Sequence, residues 1–241
     1  MVKGIKSSEV CKVLSQIPIH KREQVKEISV DMANSMEKIA YTSFPNASVV
    51  TDRFHVAKLI SEAVQEIRIK HRWEAIDQEN KAIKEAKDSG KKYIAPVYKN
   101  GDTKKQLLAR SRYLLFKSSS KWTDSQKLRA EILFTEYPDI KKAYDLSMMF
   151  RNIYETSTSK NKAIENLNKW NEKVMHYDFD SFTTASASIN NHKETIMNYF
   201  VNRTTNALAE TFNSKIKAFR SVFRGVRDVK FFLYRVSLIF A

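Results

Sequence analysis

Residues 27–52 read EISVDMANSMEKIAYTSFPNASVVTD, and the changes of period inside this stretch decide the fold. Glu27 to Val30 is a short β-type run ended by Asp31, and Ala47 to Thr51 is a second one ended by Asp52. Between them Ala33 to Thr42 returns to helical spacing, which Pro45 and Asn46 break. Two strands joined through a helix rather than a tight turn are expected to lie parallel, as a βαβ unit. In open parallel sheets ligands sit at the carboxyl ends of the strands, where Asp31 and Asp52 stand.

Working outward, residues 6–16 read as a helix, and no strand signal follows Asp52. His55 to Ser89 keeps helical spacing and stops at Gly90; Asn100 and Gly101 mark a turn. Helices are expected at about 103–117, 124–136 and 139–155, the second capped by Thr123 and the third opened by Pro138. Others are expected at about 160–176 and 180–200, around Glu210, and at about 227–240. Two strands cannot form a stable sheet alone. The expected class is therefore α/β but mostly α overall: part of an α/β domain interrupted by a large all-helical insertion. The boundaries fall at 1–64, 65–185 for the insertion, and 186–241 for the C-terminal helices.

The 241 residues are 42% hydrophobic with only 4 Gly and 4 Pro, enough for a packed core built of long helices. Forty-two Lys and Arg against 27 Asp and Glu leave a net charge of +15, the footprint of a polyanion binder. That charge is concentrated. Thr103 to Ala130 holds eight basic residues and one acid, and Val201 to Ala241 holds eight and two. Two separated basic segments suggest two faces of one nucleic-acid channel. The single cysteine, Cys11, excludes an intrachain disulfide and a four-ligand thiolate zinc site, and its apolar neighbours place it in a core. No signal peptide fits the start, and the greasy run from Phe231 is too short to span a bilayer. A soluble, cytoplasmic protein associated with the nucleoid, with no membrane partner, is expected.

Residues 206–217, NALAETFNSKIK, carry the sharpest chemical signal. As a helix they stack Asn206, Glu210, Asn213 and Lys217 on one face, opposite an apolar stripe of Leu208, Phe212, Ile216 and Phe219 that is expected to face a core. Glu210 is the only acid between Glu194 and Asp228. One carboxylate amid cations suits a metal-assisted phosphodiester site, supplying an oxygen ligand for a hard cation beside groups that hold nucleic acid. An ordinary amphipathic helix would give the same pattern.

Taken together, the strand ending in Asp31, the run Asp52-Arg-Phe-His55, the basic segment with Ser111-Arg-Tyr-Leu-Leu115, and Asn206-x-x-x-Glu210-x-x-Asn213-x-x-Ile216-Lys217 resemble the DDE transposases of bacterial insertion sequences, IS-L-three type. The resemblance covers nearly the whole chain. It implies a ribonuclease-H-like core, here partial, formed by the βαβ unit and the C-terminal helices. It also implies a two-metal site of Mg²⁺ or Mn²⁺, and metal-dependent DNA cleavage and strand transfer. By resemblance Asp31 is the second acid and Glu210 the third, both metal ligands. Asp52 and His55 form an accessory D-x-x-H motif, flanked in function by Asn206 and Asn213. The implied partner is double-stranded DNA, both transposon ends and target, bound by a homo-oligomer. Lys104, Lys105, Arg110, Arg112, Lys117, Arg203, Lys215, Lys217, Arg220 and Arg224 are the candidate DNA contacts.

Several alternatives stay open. Asp31 can be a helix cap, Asp52 can be the second metal ligand, and His55 can simply bond Asp52. His20, His71, His176 and His192 lack metal-ligand spacing, and Trp73, Trp122 and Trp170 are read as core rather than base-stacking residues. The family's first acid has no counterpart upstream of Asp31, where the acids are Glu9, Glu23 and Glu27. The expectation is therefore a C-terminal part of a catalytic domain that is inactive alone and needs the missing part, in the same chain or as a separate N-terminal polypeptide. A non-catalytic DNA-binding or regulatory remnant is the alternative.

Overall fold

A computed structural model describes residues 6–203, 207–222 and 226–240, without the side chains of 207–210 and 240. The chain forms two compact units, residues 1–52 with 201–241, and residues 53–200.

In the first unit, helices α1 (Ser7–Leu14) and α2 (Ile19–Arg22) precede strand β1 (Glu27–Val30), helix α3 (Asn34–Ser43) and strand β2 (Ser48–Thr51). The strands pair in parallel, with Glu27 opposite Ser48 and Val30 opposite Thr51. Val30, Val49 and Ala40 form a small core, with Ile28 and Met36 packed against it, which is why the β-branched runs and the apolar face of α3 recur in this order. Pro45 follows α3, and the chain turns with the Ala47 N–H donating to the Phe44 carbonyl at 3.1 Å. Arg22 reaches the Ser43 carbonyl at 2.8 Å and Asn46 the Glu23 carbonyl at 3.2 Å, tying α2 to the far end of the crossover. Cys11, expected in a core, is only half-buried, because α1 buries no residue fully.

The second unit is helical. Helix α4 (Arg53–Asp88) runs for 36 residues, followed by α5 (Lys104–Arg110), two short 3-10 turns at Leu114–Phe116 and Ser119–Lys121, α6 (Asp124–Glu136), α7 (Pro138–Thr156), α8 (Lys160–Tyr177) and α9 (Asp180–Asn191). Helix α10 (Lys193–Asn202) begins here, and α11 (Ala207–Val222) and α12 (Val229–Phe240) belong to the first unit. Thr103 and Thr123 each open a helix with a complete capping box through Gln106 and Gln126, satisfying otherwise orphaned N–H groups. Helix α4 packs on α5, α7 and α9 and buries Val56, Ile60, Ala63 and Val64. Trp170 is fully buried and donates its indole N–H to the Leu146 carbonyl at 2.9 Å, so the ring fills the core between α7 and α8 without an orphaned polar atom.

Two expected helices end differently. The one expected over 103–117 stops at Arg110 and continues as a 3-10 turn, and the one over 180–200 breaks at His192 into α9 and α10. The Ser111 hydroxyl donates back to the Leu107 carbonyl at 2.6 Å, the local competition with the helix ladder that Ser is prone to.

Candidate active site

The β1–β2 ladder runs one residue beyond the strands. The Asp52 N–H donates to the Val30 carbonyl at 2.7 Å, so Asp31 and Asp52 leave their strands at successive, matching positions of one parallel register. Neighbouring strands are separated by about 4.8 Å, which puts the two aspartates side by side at the carboxyl edge of the sheet. Both are half-buried. Asp31 also has a local duty: its Oδ1 accepts the Ala33 N–H at 3.0 Å, an Asx turn bracing the residue that precedes α3. A carboxylate can accept about four hydrogen or metal bonds, so this turn orients Asp31 without exhausting it.

His55 stands half-buried in the first turn of α4, its ring edge-on to Phe54 with centroids 5.6 Å apart. The neighbouring Arg53 guanidinium lies over the Tyr154 ring at 4.9 Å. Glu210 occupies α11 as its spacing predicts, but its side chain lies outside the described residues, as does Asn206 altogether. Asn213, nearly one turn further along, is exposed. The stripe opposite is only partly covered within its unit. Ile216 and Phe219 are half-buried and Phe219 stacks on Phe232 at 5.7 Å, whereas Phe212 is 43% exposed. Among the described residues no group of three or more His, Cys, Asp or Glu comes together as a metal cluster.

A family model described as transposase, of the DDE type and ISL3 branch, matches residues 1–236. The chain belongs to this transposase family. No match to it is found among curated proteins or among solved structures.

The candidate DNA contacts of this transposase differ in how committed they already are. Arg110 is ion-paired to the fully buried Asp102, which Arg129 also holds at 2.8 Å. Lys105 pairs with Glu79 at 2.5 Å, and Lys104 donates to Gln78 at 3.2 Å. Arg112 and Lys117 are exposed, with the Arg112 guanidinium over the Tyr113 ring at 5.5 Å. Lys215, Lys217 and Arg220 are exposed on α11, and Arg203 is exposed with a left-handed backbone, φ +53. Arg224 lies outside the described residues. Among the described residues no helix is long and apolar enough to cross a membrane.

One reading needs correcting and one group was missed. Trp170 is buried and Trp122 half-buried, donating to the carbonyls of Leu146 and Leu114, but Trp73 is 62% exposed. It lies on α4 two positions from the buried Ala75, on a face that the described residues leave largely uncovered. The missed group is Arg68, buried on the same helix. Burial, followed by repulsion from Arg72 and Arg112, pushes its guanidinium down to about 10. The i, i+4 pair Arg68 and Arg72 was visible in the sequence, but its convergence with Arg112 was not.

Proposed function

We propose that this transposase performs metal-dependent DNA strand cleavage and strand transfer at the ends of an insertion sequence, with Asp31 and Glu210 as metal ligands. The reading is carried by one observation: Asp31 and Asp52 emerge side by side from register-matched parallel strands, the place where such sheets assemble their chemistry. The βαβ unit and C-terminal helices then form part of a ribonuclease-H-like core, and the helical unit is its insertion. Paired carboxylates offer the hard oxygen donors that Mg²⁺ and Mn²⁺ prefer, so the donor set fits the group. Asp31 and Glu210 would hold the cations, which would supply Lewis-acid activation of the attacking oxygen and charge stabilisation at the leaving one.

The chain's own groups do the rest. Asp31 is oriented by its Asx turn at the carboxyl end of β1. Asp52 supplies negative charge beside it and competes for the role of second ligand. Glu210 comes from a helix rich in cations, so that the phosphodiester and the acid reach one place. His55 is assigned an accessory role.

The test is cleavage of labelled terminal DNA in Mg²⁺ by the chain supplemented with an upstream transposase segment. Asp31→Ala and Glu210→Ala abolish the cut while DNA binding persists, whereas Asp52→Ala lowers the rate without abolishing it. Full activity in Glu210→Ala refutes the assignment. Abolition by Asp52→Ala with survival in Asp31→Ala moves the ligand role to Asp52.

A further inference from the structure

A groove of about 690 Å³ runs along the helical unit, lined among others by Phe54, Arg68, Ile69, Arg72, Trp73 and Arg112. Its floor is a guanidinium held by neutral partners. Arg68 is 4% exposed; its Nε donates to Gln65 Oε1 at 2.6 Å and one terminal nitrogen to the Leu108 carbonyl at 2.8 Å. The Gln65 amide in turn donates to the Arg112 carbonyl at 3.3 Å, so α4 and the segment that carries Arg112 hold one another in place. These bonds satisfy geometry, not charge. Among the described residues no carboxylate pairs with Arg68, Arg72 or Arg112, and the groove's one acid, Glu62, faces Lys58 at 3.6 Å.

Buried charge is ordinarily paired, and a buried guanidinium that Arg72 and Arg112 both repel is a costly arrangement unless an anion comes to it. Arginine forks suit phosphate oxygens in particular. The groove also carries what an inorganic anion has no use for: Trp73 is 62% exposed, Phe54 61% and Ile69 41%. Exposed aromatic faces beside cations are the two halves of a single-strand binding surface, one taking bases and the other the backbone. A duplex, whose bases are stacked on each other inside, can use only the cations.

We propose that this groove binds an unpaired DNA strand, its phosphates against Arg72 and Arg112 and a base stacked on Trp73. The inference rests on the family's DNA substrate and not on the acid edge of the sheet. It gives the helical unit a ligand of its own: an unpaired strand.

The full chain is titrated, without divalent metal, against fluorescein-labelled dodecathymidylate, an abasic strand of the same length, and the corresponding blunt duplex. Binding is read by anisotropy and by quenching of tryptophan emission. Trp73→Ala is expected to weaken dodecathymidylate binding about fivefold to hundredfold, to abolish the quench, and to leave the abasic strand and duplex unchanged. Trp73→Phe restores part of the affinity. Arg72→Gln with Arg112→Gln weakens both single strands alike. Both variants change exposed side chains, and far-UV circular dichroism confirms that they fold. Unchanged dodecathymidylate binding in Trp73→Ala overturns the proposal, as does an equal loss for the abasic strand or for the duplex. No cleavage is read, so such a result leaves the assignment of Asp31 and Glu210 standing.

Discussion

Replacing Asp102 by alanine should cost the helical unit about 3 kcal/mol of stability. The carboxylate is fully buried, between a turn in which Gly101 has φ +80 and the cap of α5. It accepts from Arg129 Nε at 2.8 Å, from Asn100 Nδ2 at 2.8 Å, and from Arg110. Removing one partner of a buried pair costs about 3–5 kcal/mol, because the remaining charge is stranded. The lower end applies: Arg110 is 55% exposed and returns to water, and only Arg129, at 17%, stays enclosed. For a unit of this size the loss corresponds to a melting temperature lower by about 6–12 °C. All three tryptophans, Trp73, Trp122 and Trp170, lie in the helical unit, so their emission follows its unfolding. The acid limb tests the same reasoning. Burial pushes the Asp102 carboxyl up, but hydrogen bonds from Arg129 and Arg110 override it and hold it below the usual carboxylate range. With the folded value depressed, the stabilisation is fully present above the unfolded value of about 3.9 and is lost as pH falls from there through the folded value. The gap between wild type and Asp102→Ala should therefore be constant near neutrality and close below about pH 4. A loss under about 1 kcal/mol, or a gap that widens on acidification, would refute the argument.

Salt should act strongly on DNA affinity: about six phosphate contacts imply roughly a thousandfold loss between about 50 and 200 mM, measured by anisotropy on a duplex. Arg112→Ala should lower the magnitude of that salt slope by about one, and Arg110→Ala by much less, since Arg110 is already paired with Asp102; equal slopes for the two would contradict this. Thr123→Ala removes the hydroxyl that accepts the Gln126 N–H at 3.3 Å and should cost about 1 kcal/mol in urea unfolding. Trp170→Ala empties the most enclosed large site in the helical unit and should cost about 3–5 kcal/mol in the same assay.

What the sequence determined by itself was local. The β-type runs ending at Asp31 and Asp52, the cap at Thr123, the helix start at Pro138, the uninterrupted helix after Asp52 and the helix of Glu210 all rest on period, capping and backbone chemistry within a few residues. The motif combination was legible for the same reason, since its spacings are helical and strand spacings. What only the tertiary structure decided depends on residues distant in sequence. The pairing that sets Asp31 beside Asp52, the capture of Asp102 by Arg129, and the approach of Arg112 to Arg68 are long-range events. Trp170 and Trp73 show the difference within one residue type: both sit on helices, but α7 helps to enclose the first and the second is left 62% exposed. Burial is a property of the partner surface, and charge is neutralised by whichever group the fold brings near. A residue's own period along the chain can reveal its face, but what that face meets is set by packing.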